Sequence, residues 1–416
     1  MDTGLLIALI PWVGLFGFVT FVTRFPSELP DPPESDSGEL DGVLLSVIVP
    51  ARNEAVNIET CVRSLTESDF PSFEVIVVDD RSEDDTYERA ARLTPGRAER
   101  LDVVRGEPLP DGWLGKPWAC HQGAARAGGS WLLFTDADTT HGPRLARKAV
   151  FAAVRQDAGL FTVVGRQLVE TFWEKLVQTQ VFLTMLLRFP DFEATAKNDR
   201  WRDAIANGQF LLFRRSAYEA IGGHEAVRNE VVEDLALAQH VKRAGLPLRI
   251  GGAKDDLATR MYRSLSELIE GWTKNLVLGG QQSLPRWLRG AAAPLTLVVG
   301  VVVWLVPPAV VLLWSAGGGF DFGGVDLSLR GETFAEDVGE MGTTARVVWW
   351  AGLAYALNTL TWGAFARRVD VSVVYAPLHP LGAAVGAWIF MRAWWRGDTV
   401  EWKGRRYDLP PVSERA

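Results

Sequence analysis

Four long apolar stretches limit what this chain can fold into. They cover residues 3–23, 291–314, 347–366 and 371–391, and each is close to the length that a helix needs to cross a lipid bilayer. The chain has 416 residues and 17 of them are tryptophan, which is unusual in a soluble protein. We therefore predict transmembrane helices at both ends of the chain and a globular part between them.

The first apolar stretch has two interpretations. It follows Asp2 instead of the basic residues that begin a secretory signal peptide, and no clear cleavage site of small residues ends it. We therefore predict that residues 1–24 form a membrane anchor, and a cleaved signal peptide is the alternative. Residues 25–42 contain six acidic residues, several prolines and no basic residue, which is typical of a solvated linker.

The charges that flank the apolar stretches predict the orientation of the chain, because basic residues concentrate at the cytoplasmic ends of membrane helices. Arg24 follows the first stretch and Arg367 with Arg368 ends the third, whereas residues 315–344 are acidic. This pattern predicts a multi-pass protein of the cell membrane whose globular part lies in the cytoplasm.

The last apolar stretch conflicts with a single crossing, because six basic residues follow it and would lie outside the cell. Pro377 and Pro380 lie in its middle and would allow a re-entrant hairpin, so crossing and re-entry both stay open. We assign residues 291–392 to the membrane region and residues 393–416 to a cytoplasmic tail.

The globular part, residues 43–263, alternates predicted strands with predicted helices. Strands are expected at residues 44–49, 73–78, 101–104 and 131–134, and a helix-compatible segment follows each of them. This alternation is typical of an α/β fold with a parallel sheet. No glycine-rich dinucleotide motif or P-loop follows the first strand, so the sequence does not support either kind of nucleotide site.

Composition disfavours two other classes of function. The formal net charge of -8 argues against a general nucleic-acid binder, which needs a basic face for phosphate contacts. The two cysteines, Cys61 and Cys120, lie in separate predicted helices, so they form neither a disulfide framework nor a Cys-x-x-Cys metal site. From the net charge, we expect no nucleic acid among the partners.

Two carboxylates follow the fourth predicted strand. Asp136 and Asp138 are separated by one alanine and come directly after the apolar run at residues 131–134. In an open α/β sheet, ligands bind at the carboxyl ends of the strands, and two carboxylates there suit Mg²⁺ or Mn²⁺ holding a diphosphate. Taken alone, so short a pair is more often an acidic turn than a metal site.

Residues 264–290 precede the second apolar stretch and place apolar side chains at helical spacing opposite charged ones. This pattern predicts an amphipathic helix that lies in the membrane interface. Packing of the same helix against the globular part is the alternative.

Four short motifs occur in a fixed order, and together they point to a known family. They are Pro50-x-x-Asn53-Glu54, Asp79-Asp80, Asp136-x-Asp138 and Glu233-Asp234. Their order and spacing resemble those of the inverting family-2 glycosyltransferases over residues 44–278. The resemblance implies a nucleotide-diphospho-sugar transferase (GT-A) fold, which is an α/β fold with a mixed, mainly parallel sheet.

Three further segments, residues 112–119, 260–272 and 402–407, are similar to the membrane-bound branch of this family that glycosylates lipids. That branch includes hopanoid-associated, carotenoid and ceramide glucosyltransferases. The resemblance therefore implies transfer of a single hexose, with glucose from UDP-glucose preferred, to a hydroxyl or carboxyl group of a membrane lipid. A polyprenyl-phosphate sugar synthase and an inactive membrane scaffold of the same fold are the alternatives.

The resemblance also implies roles for individual residues. Asp234 would be the general base that takes the proton of the acceptor, with Glu233 assisting, although two acids also suit an ordinary helix N-terminus. Asp138 and Asp136 would hold Mg²⁺ or Mn²⁺. Ser264 stands where the family usually has tryptophan, so Trp272 is the candidate for acceptor binding. The residues expected to bind the UDP-sugar are Ala51, Glu54, Asp79, Asp80, Lys116, Asp136, Arg260 and Arg263.

Overall fold

The computed structural model describes residues 3–32, 38, 40, 42–282, 286–316, 321–322, 325–326, 343–396, 399–403 and 405–408. The strands of its globular part are β1 Leu45–Ala51, β2 Phe73–Asp79, β3 Arg100–Arg105, β4 Trp131–Phe134, β5 Thr139–His141, β6 Leu160–Val164, β7 Arg166–Gln167, β8 Leu211–Arg214, β9 Leu248–Gly252 and β10 Leu257–Thr259.

These strands form a seven-stranded sheet in the order β3-β2-β1-β4-β8-β6-β9 and a three-stranded sheet in the order β5-β10-β7. Within the large sheet, β8 runs antiparallel to both of its neighbours and the other pairs are parallel. All seven residues of β2 are buried, because helices cover both faces of this part of the sheet. The expectation of a mixed, mainly parallel sheet is therefore confirmed.

Helix α1, Thr3–Gly17, forms the N-terminal part and lies apart from the sheet. The helices of the globular part pack around the sheet. They are α2 Ile58–Thr66, α3 Thr86–Ala91, α4 Gly115–Arg126, α5 Leu145–Arg155, α6 Thr179–Arg188, α7 Phe192–Lys197, α8 Arg215–Ala220 and α9 Glu233–Arg243. Helix α4 lies directly on β1 and β2, since a Cβ atom added at Gly123 would approach Ile48 Cγ2 to 2.4 Å. Glycine at this position lets the helix come close enough to carry its first turn over the edge of the sheet.

Glu74 ties three strands together at the opposite end of the sheet. Its Oε1 accepts hydrogen bonds from Ser46 Oγ and from the Gly128 backbone N–H, each at 2.6 Å. Arg100 Nη2 donates to the other carboxylate oxygen, also at 2.6 Å. Burial alone would raise the pKa of Glu74, but these hydrogen bonds lower it below its usual value. The carboxylate therefore holds β1, β2, β3 and the approach to β4 in one register.

The remaining elements follow the globular part. They are α10 Leu265–Gln282, α11 Arg286–Trp304, α12 Val306–Ser315, β11 Asp321–Phe322, β12 Val325–Asp326, α13 Thr343–Arg368, α14 His379–Arg396, β13 Thr399–Trp402 and β14 Arg405–Asp408. A 3-10 helix, Val373–Leu378, leads directly into α14, and a π-helical turn, Phe18–Val22, extends α1.

One helix of the described residues, Val373–Arg396, is by itself long and apolar enough to cross a membrane. A second span results if residues 294–304 of α11 and all of α12, which meet at a bend of 42°, are taken together. The N-terminal apolar helix, Leu6–Val22, is shorter. The expectation of spanning helices at both ends therefore stays a prediction. Pro377 and Pro380 do not divide the last stretch, because it forms one continuous helical segment.

Helices α1 and α13 pack side by side and run in the same direction. Trp350 Nε1, near the start of α13, donates to the Ala8 carbonyl at 3.2 Å. Arg368, at the end of α13, donates to the carbonyls of Val19 and Thr23 at 3.0 and 2.9 Å. The neighbouring Arg24 backbone N–H donates to the carbonyl of Pro190 in the globular part at 2.7 Å. The carboxyl ends of both helices therefore lie next to the globular part.

The apolar face of α10 is covered by protein. Leu268 and Trp272 are buried in a cluster with Val177, Val181 and Ile389, so this face packs against the globular part and against α14. These side chains therefore have the second of the two predicted arrangements, in which the amphipathic helix packs on the globular part.

Candidate active site

The carboxyl ends of β1, β2 and β4 open into a cavity of about 1410 Å³. Ala51 pairs with Asp79 and Ile48 pairs with Phe134, so the three strands leave the sheet at the same edge. Of the twelve residues predicted to form the site, eleven line this cavity, and Asp79 is the exception. The eleven are Ala51, Glu54, Asp80, Lys116, Asp136, Asp138, Glu233, Asp234, Arg260, Arg263 and Trp272.

Lys116 joins two of the predicted acidic motifs. Its Nζ lies 2.7 Å from Asp136 Oδ1 and 2.7 Å from Glu233 Oε1. Because Lys116 is in the first turn of α4, Asp136 follows β4 and Glu233 begins α9, these ion pairs connect three elements. Burial alone would lower the pKa of Lys116, but the charges of Asp136 and Glu233 raise it well above its usual value. The lysine therefore stays charged and partly neutralises the acidic cluster.

Asp234 and Glu233 differ in basicity although they are adjacent. Asp234 Oδ2 accepts a hydrogen bond from the Gly208 N–H at 2.8 Å. Burial and the charge of Glu233 raise the pKa of Asp234 to about 6. Burial would also raise the pKa of Glu233, but the ion pair with Lys116 lowers it overall. Asp234 is therefore the better proton acceptor of the two.

Gly208 separates Asp234 from the lysine. A Cβ atom added at this position would lie 3.2 Å from Asp234 Oδ2 and 3.2 Å from Lys116 Nζ. A glycine here leaves the backbone N–H of residue 208 free to reach the carboxylate. The close approach explains how a loop between α7 and β8 comes to position a side chain of α9.

Asp136 and Asp138 fit a divalent cation. Asp138 Oδ1 is buried and accepts no hydrogen bond from the residues that the structure describes. Burial, followed by the charges of Asp136 and Glu54, raises the pKa of Asp138 to about 8. A divalent cation would relieve this repulsion. Among the described residues, no group of three or more His, Cys, Asp or Glu side chains is arranged to hold a metal ion. Oxygen atoms of the bound sugar nucleotide or of water would therefore complete the coordination.

The two aspartates after β2 have different surroundings. Asp80 lines the cavity, and its backbone N–H donates to the Ala51 carbonyl at 2.7 Å. Asp79 is buried, and its Oδ2 accepts a hydrogen bond from the Ser82 N–H at 3.3 Å. The Asp79 side chain therefore holds the turn after β2 and does not line the cavity, and its contact with the donor stays a prediction. Successive residues of an extended chain point to opposite sides, so only one of the pair faces the cavity.

The loops that carry Glu54 and Asp80 support each other. The Asn53 N–H donates to Ser82 Oγ at 3.0 Å, and the Glu54 N–H donates to Thr86 Oγ1 at 2.8 Å. Asn53 and Arg81 have φ angles of 51° and 55°, which are uncommon for residues other than glycine. The hydrogen bonds between the loops hold these backbone conformations. They thereby fix the end of the cavity that Glu54 and Asp80 line, which we call the donor end.

Comparison with known proteins identifies the domain that carries this site. The model of the family "Glycosyl transferase family 2" matches residues 46–222, which include Glu54, Asp80, Asp136 and Asp138. This part of the chain is therefore similar to glycosyl transferase family 2. The chain is 28% identical over 375 residues to 4,4'-diaponeurosporenoate glycosyltransferase of Staphylococcus aureus strain MRSA252, with 88% of each protein covered.

A solved structure confirms the GT-A fold of this glycosyltransferase. The mannosyltransferase PcManGT from Pyrobaculum calidifontis, in complex with GDP-Man and Mn²⁺, is similar with a TM-score of 0.50 and 18% sequence identity. The similarity covers 92% of this chain and 97% of that chain.

The two predicted donor-binding arginines of the glycosyltransferase have protein partners. Arg260 lies 2.6 Å from Glu170 Oε2 and 3.0 Å from Glu174 Oε1. Arg263 Nη2 donates to Asn57 Oδ1 at 2.7 Å. A diphosphate would have to compete with the two glutamates for Arg260. A direct contact between these arginines and the donor therefore stays a prediction.

Trp272, the predicted acceptor-binding residue, lines the cavity but is 4% exposed. Its ring meets Phe182 and Tyr262 at interplanar angles of 86° and 64°. Little of its face is left for stacking on an acceptor. The indole Nε1 is buried and has no hydrogen-bond partner among the described residues, so the edge of the ring could donate to a bound acceptor.

Sequence reasoning missed three basic residues at the donor end. Arg52 Nη1 donates to the Asp80 and Arg81 carbonyls at 2.8 and 2.7 Å. Lys403 forms an ion pair with Glu54, and Arg405 Nη1 lies 2.5 Å from Asp80 Oδ2. The basic segment at residues 402–407 was a signal for the last two, but nothing in the sequence placed that segment next to β1 and β2.

The metal interpretation predicts that Asp138→Asn loses Mn²⁺ binding and about 10²–10³-fold in turnover, because one charged ligand is removed where charge develops on the leaving group. The shape of the side chain is kept, so the fold should survive. Titration with Mn²⁺, together with turnover and melting temperature, checks this. Asp157→Asn, an exposed aspartate outside the cavity, is the control. Full activity of the parent enzyme in EDTA would remove the metal role.

Proposed function

We propose that this glycosyltransferase moves one hexose from a UDP-sugar to a membrane lipid with a long apolar chain, with glucose and a carotenoid-like acceptor preferred. One observation carries the proposal: a single cavity extends from the acidic cluster at the edge of the sheet to an apolar end lined by residues of α6, α7 and α13. The residues that line the apolar end include Phe182, Met185, Leu186, Phe189, Phe192 and Phe365.

The apolar end suits a lipid better than a soluble sugar. A sugar acceptor would need hydrogen-bonding side chains along the wall, whereas aromatic and aliphatic side chains bind hydrocarbon by burial. Residues of α6, α7 and α13 contribute to this wall, and α13 packs against the apolar N-terminal helix. The similar Staphylococcus aureus protein is named for a carotenoid acid, which supports the same class of acceptor.

The donor end suits a nucleoside diphosphate sugar. Asp80 lies where it can accept hydrogen bonds from a base or ribose, and Asp136 with Asp138 lies where a divalent cation, Mg²⁺ or Mn²⁺, can neutralise the diphosphate. When bound, the metal would stabilise the negative charge of the leaving group. Lys116 stays charged beside Asp136 and keeps that carboxylate in place.

Asp234 is the proposed general base for direct displacement. Inversion requires the acceptor oxygen to attack the anomeric carbon as the diphosphate leaves, and a hydroxyl acceptor must lose its proton in the same step. Asp234 lines the cavity, and its raised pKa makes it a competent acceptor for this proton. An acceptor that is already a carboxylate at neutral pH needs no base, so the role of Asp234 depends on the acceptor group.

The function is tested by supplying purified enzyme with labelled UDP-glucose or GDP-mannose and with one acceptor at a time. The acceptors are a carotenoid with a terminal hydroxyl, a carotenoid with a terminal carboxyl, a ceramide and a polyprenyl phosphate. We expect UDP-glucose and a carotenoid to give glycolipid, detected by mass spectrometry. Transfer only to polyprenyl phosphate would favour the alternative synthase. Nucleotide binding without any transfer would overturn the proposed activity.

For a hydroxyl acceptor, Asp234→Asn should lower transfer by about 10²–10⁴-fold while donor binding survives, because the variant keeps the shape but cannot take the proton. For a carboxylate acceptor, the same variant should stay within about tenfold of the parent enzyme. The control is Asp191→Asn, which changes an aspartate that caps α7 and does not line the cavity. Near-parental turnover on the hydroxyl acceptor would remove Asp234 from the role of base.

The pH dependence supplies a second measurement of the same role. Since the raised pKa of Asp234 is about 6, its proton-accepting form predominates above that pH and is lost below it. With saturating Mn²⁺ and a hydroxyl acceptor, kcat/KM should fall about tenfold per unit as the pH drops below 6. The carboxylate acceptor should not show this decline between pH 6 and pH 5.

We further propose that the globular part and the C-terminal hairpin, which consists of β13 and β14, lie on the cytoplasmic side of the cell membrane. Gly382, near the start of α14, lies against Leu176 of the globular part, and the hairpin after α14 contacts Asp80, so both ends of α14 lie next to the globular part. This arrangement allows α1, the pair α11 and α12, and α13 to cross, whereas the continuous segment Val373–Arg396 packs along the globular part without crossing. The basic tail then stays inside the cell, as the flanking charges favour.

This topology predicts the labelling of single introduced cysteines by a membrane-impermeant maleimide in intact cells. Ser315→Cys, at the end of α12, should react, whereas Glu67→Cys in the globular part and Ser413→Cys in the tail should react only after lysis. The native cysteines, Cys61 and Cys120, are buried and should give a low background. Different labelling of the Glu67 and Ser413 variants would overturn the placement on one side.

A further inference from the structure

The C-terminal hairpin of β13 and β14 lies against the donor end of the cavity, about 350 residues along the chain from the loops that it touches. We infer that this hairpin forms part of the donor site: Lys403 binds the diphosphate of the sugar nucleotide, and Arg405 positions Asp80 for the nucleoside. The inference rests on the proposed use of a nucleoside diphosphate sugar.

The hairpin is joined to the loops after β1 and β2 by hydrogen bonds. Arg405 Nη1 lies 2.5 Å from Asp80 Oδ2, and its Nη2 donates to the Asp80 carbonyl at 3.2 Å. Arg52 Nε donates to the Lys403 carbonyl at 3.2 Å, and Arg52 Nη1 donates to the Asp80 carbonyl at 2.8 Å. The Asp80 carbonyl therefore accepts hydrogen bonds from two arginines, Arg52 of the loop after β1 and Arg405 of the hairpin.

The turn of the hairpin directs Lys403 into the cavity. Lys403 has a φ angle of 45°, which places it in a tight left-handed turn between the two strands. Its side chain lines the cavity and forms an ion pair with Glu54. The ammonium group is also close enough to Asp138 to oppose the rise in the pKa of that carboxyl. Lys403 therefore lies between the nucleoside end and the carboxylates that would hold the metal.

A diphosphate is the group that fits between those two ends. In a sugar nucleotide the diphosphate separates the nucleoside from the sugar, and its charge requires cations on more than one side. Lys116 contacts Asp136 and Glu233, and Arg260 contacts Glu170 and Glu174. Lys403 carries a compact charge on a flexible side chain, and its partner Glu54 is half-buried at the rim of the cavity, so the ammonium can turn from Glu54 to phosphate.

Arg405 has a different role, because its partner is buried. Asp80 is 3% exposed, and burial raises its pKa although the charge of Arg405 opposes the rise. The charge of the arginine therefore favours the ionised form of a buried carboxylate at the position where a base or ribose would donate hydrogen bonds. Arg405 is a positioning residue, and its removal should affect nucleosides with and without phosphate.

The test compares the affinities of purified full-length enzyme for UDP, GDP and uridine in the presence of Mn²⁺, by calorimetry. Lys403→Ala should weaken UDP by about 10- to 100-fold and change uridine less than about twofold, because only UDP carries the diphosphate. Arg405→Ala should weaken UDP and uridine to a similar extent. Lys403→Arg should recover part of the UDP affinity, since it restores the charge.

Lys197→Ala is the matched control, because this lysine is exposed, pairs with Glu193 and does not line the cavity. Melting temperatures show whether each variant is folded. A hairpin that only braces the loops would weaken UDP and uridine equally in Lys403→Ala, and that result would overturn the inference. UDP affinity unchanged in Lys403→Ala would overturn it as well. If the parent enzyme bound neither UDP nor GDP, the proposed donor class would fail together with the inference.

Discussion

The ion pairs of Lys116 with Asp136 and Glu233 are the contact on which the arrangement of the site depends. Asp136, Asp138, Glu233 and Asp234 all line one cavity, and carboxylates this close together raise one another's pKa values unless cations separate them. The lysine supplies one positive charge between the loop after β4 and the start of α9. The high pKa of Asp138 shows that this single charge is not enough for the whole cluster. A divalent cation is the natural complement.

The position of that lysine follows from packing in the sheet. Helix α4 packs on β1 and β2 and carries its first turn over their carboxyl ends because Gly123 lets it approach Ile48 closely. Glu74 fixes the register of the strands at the other end, through Ser46, Gly128 and Arg100. The chemistry at one edge of the sheet is therefore set by apolar contacts and by one buried carboxylate at the opposite edge. A substitution at Gly123 or Glu74 would displace the acidic cluster although neither residue contacts it.

Local patterns predicted the central strands, because parallel strands share an edge and alternate with helices. The resemblance to the family implied the mixed sheet and the set of residues of which eleven line one cavity. The different surroundings of Asp79 and Asp80 could not be predicted, because two adjacent acids after a strand look equivalent until the direction of each side chain is known. The partners of Arg260 could not be predicted, since Glu170 and Glu174 lie far away in sequence. The contacts of Lys403 and Arg405 have no periodicity or spacing that would indicate them.

The order of elements along the chain has a consequence for biogenesis. The loops after β1 and β2 leave the ribosome early, whereas β13 and β14 follow every helix that packs between the globular part and the apolar N-terminal helix. The contacts of Arg405 with Asp80 can form only after those helices have been synthesised. A nascent chain that has not yet reached β13 therefore has the loops of the donor end but lacks Lys403 and Arg405.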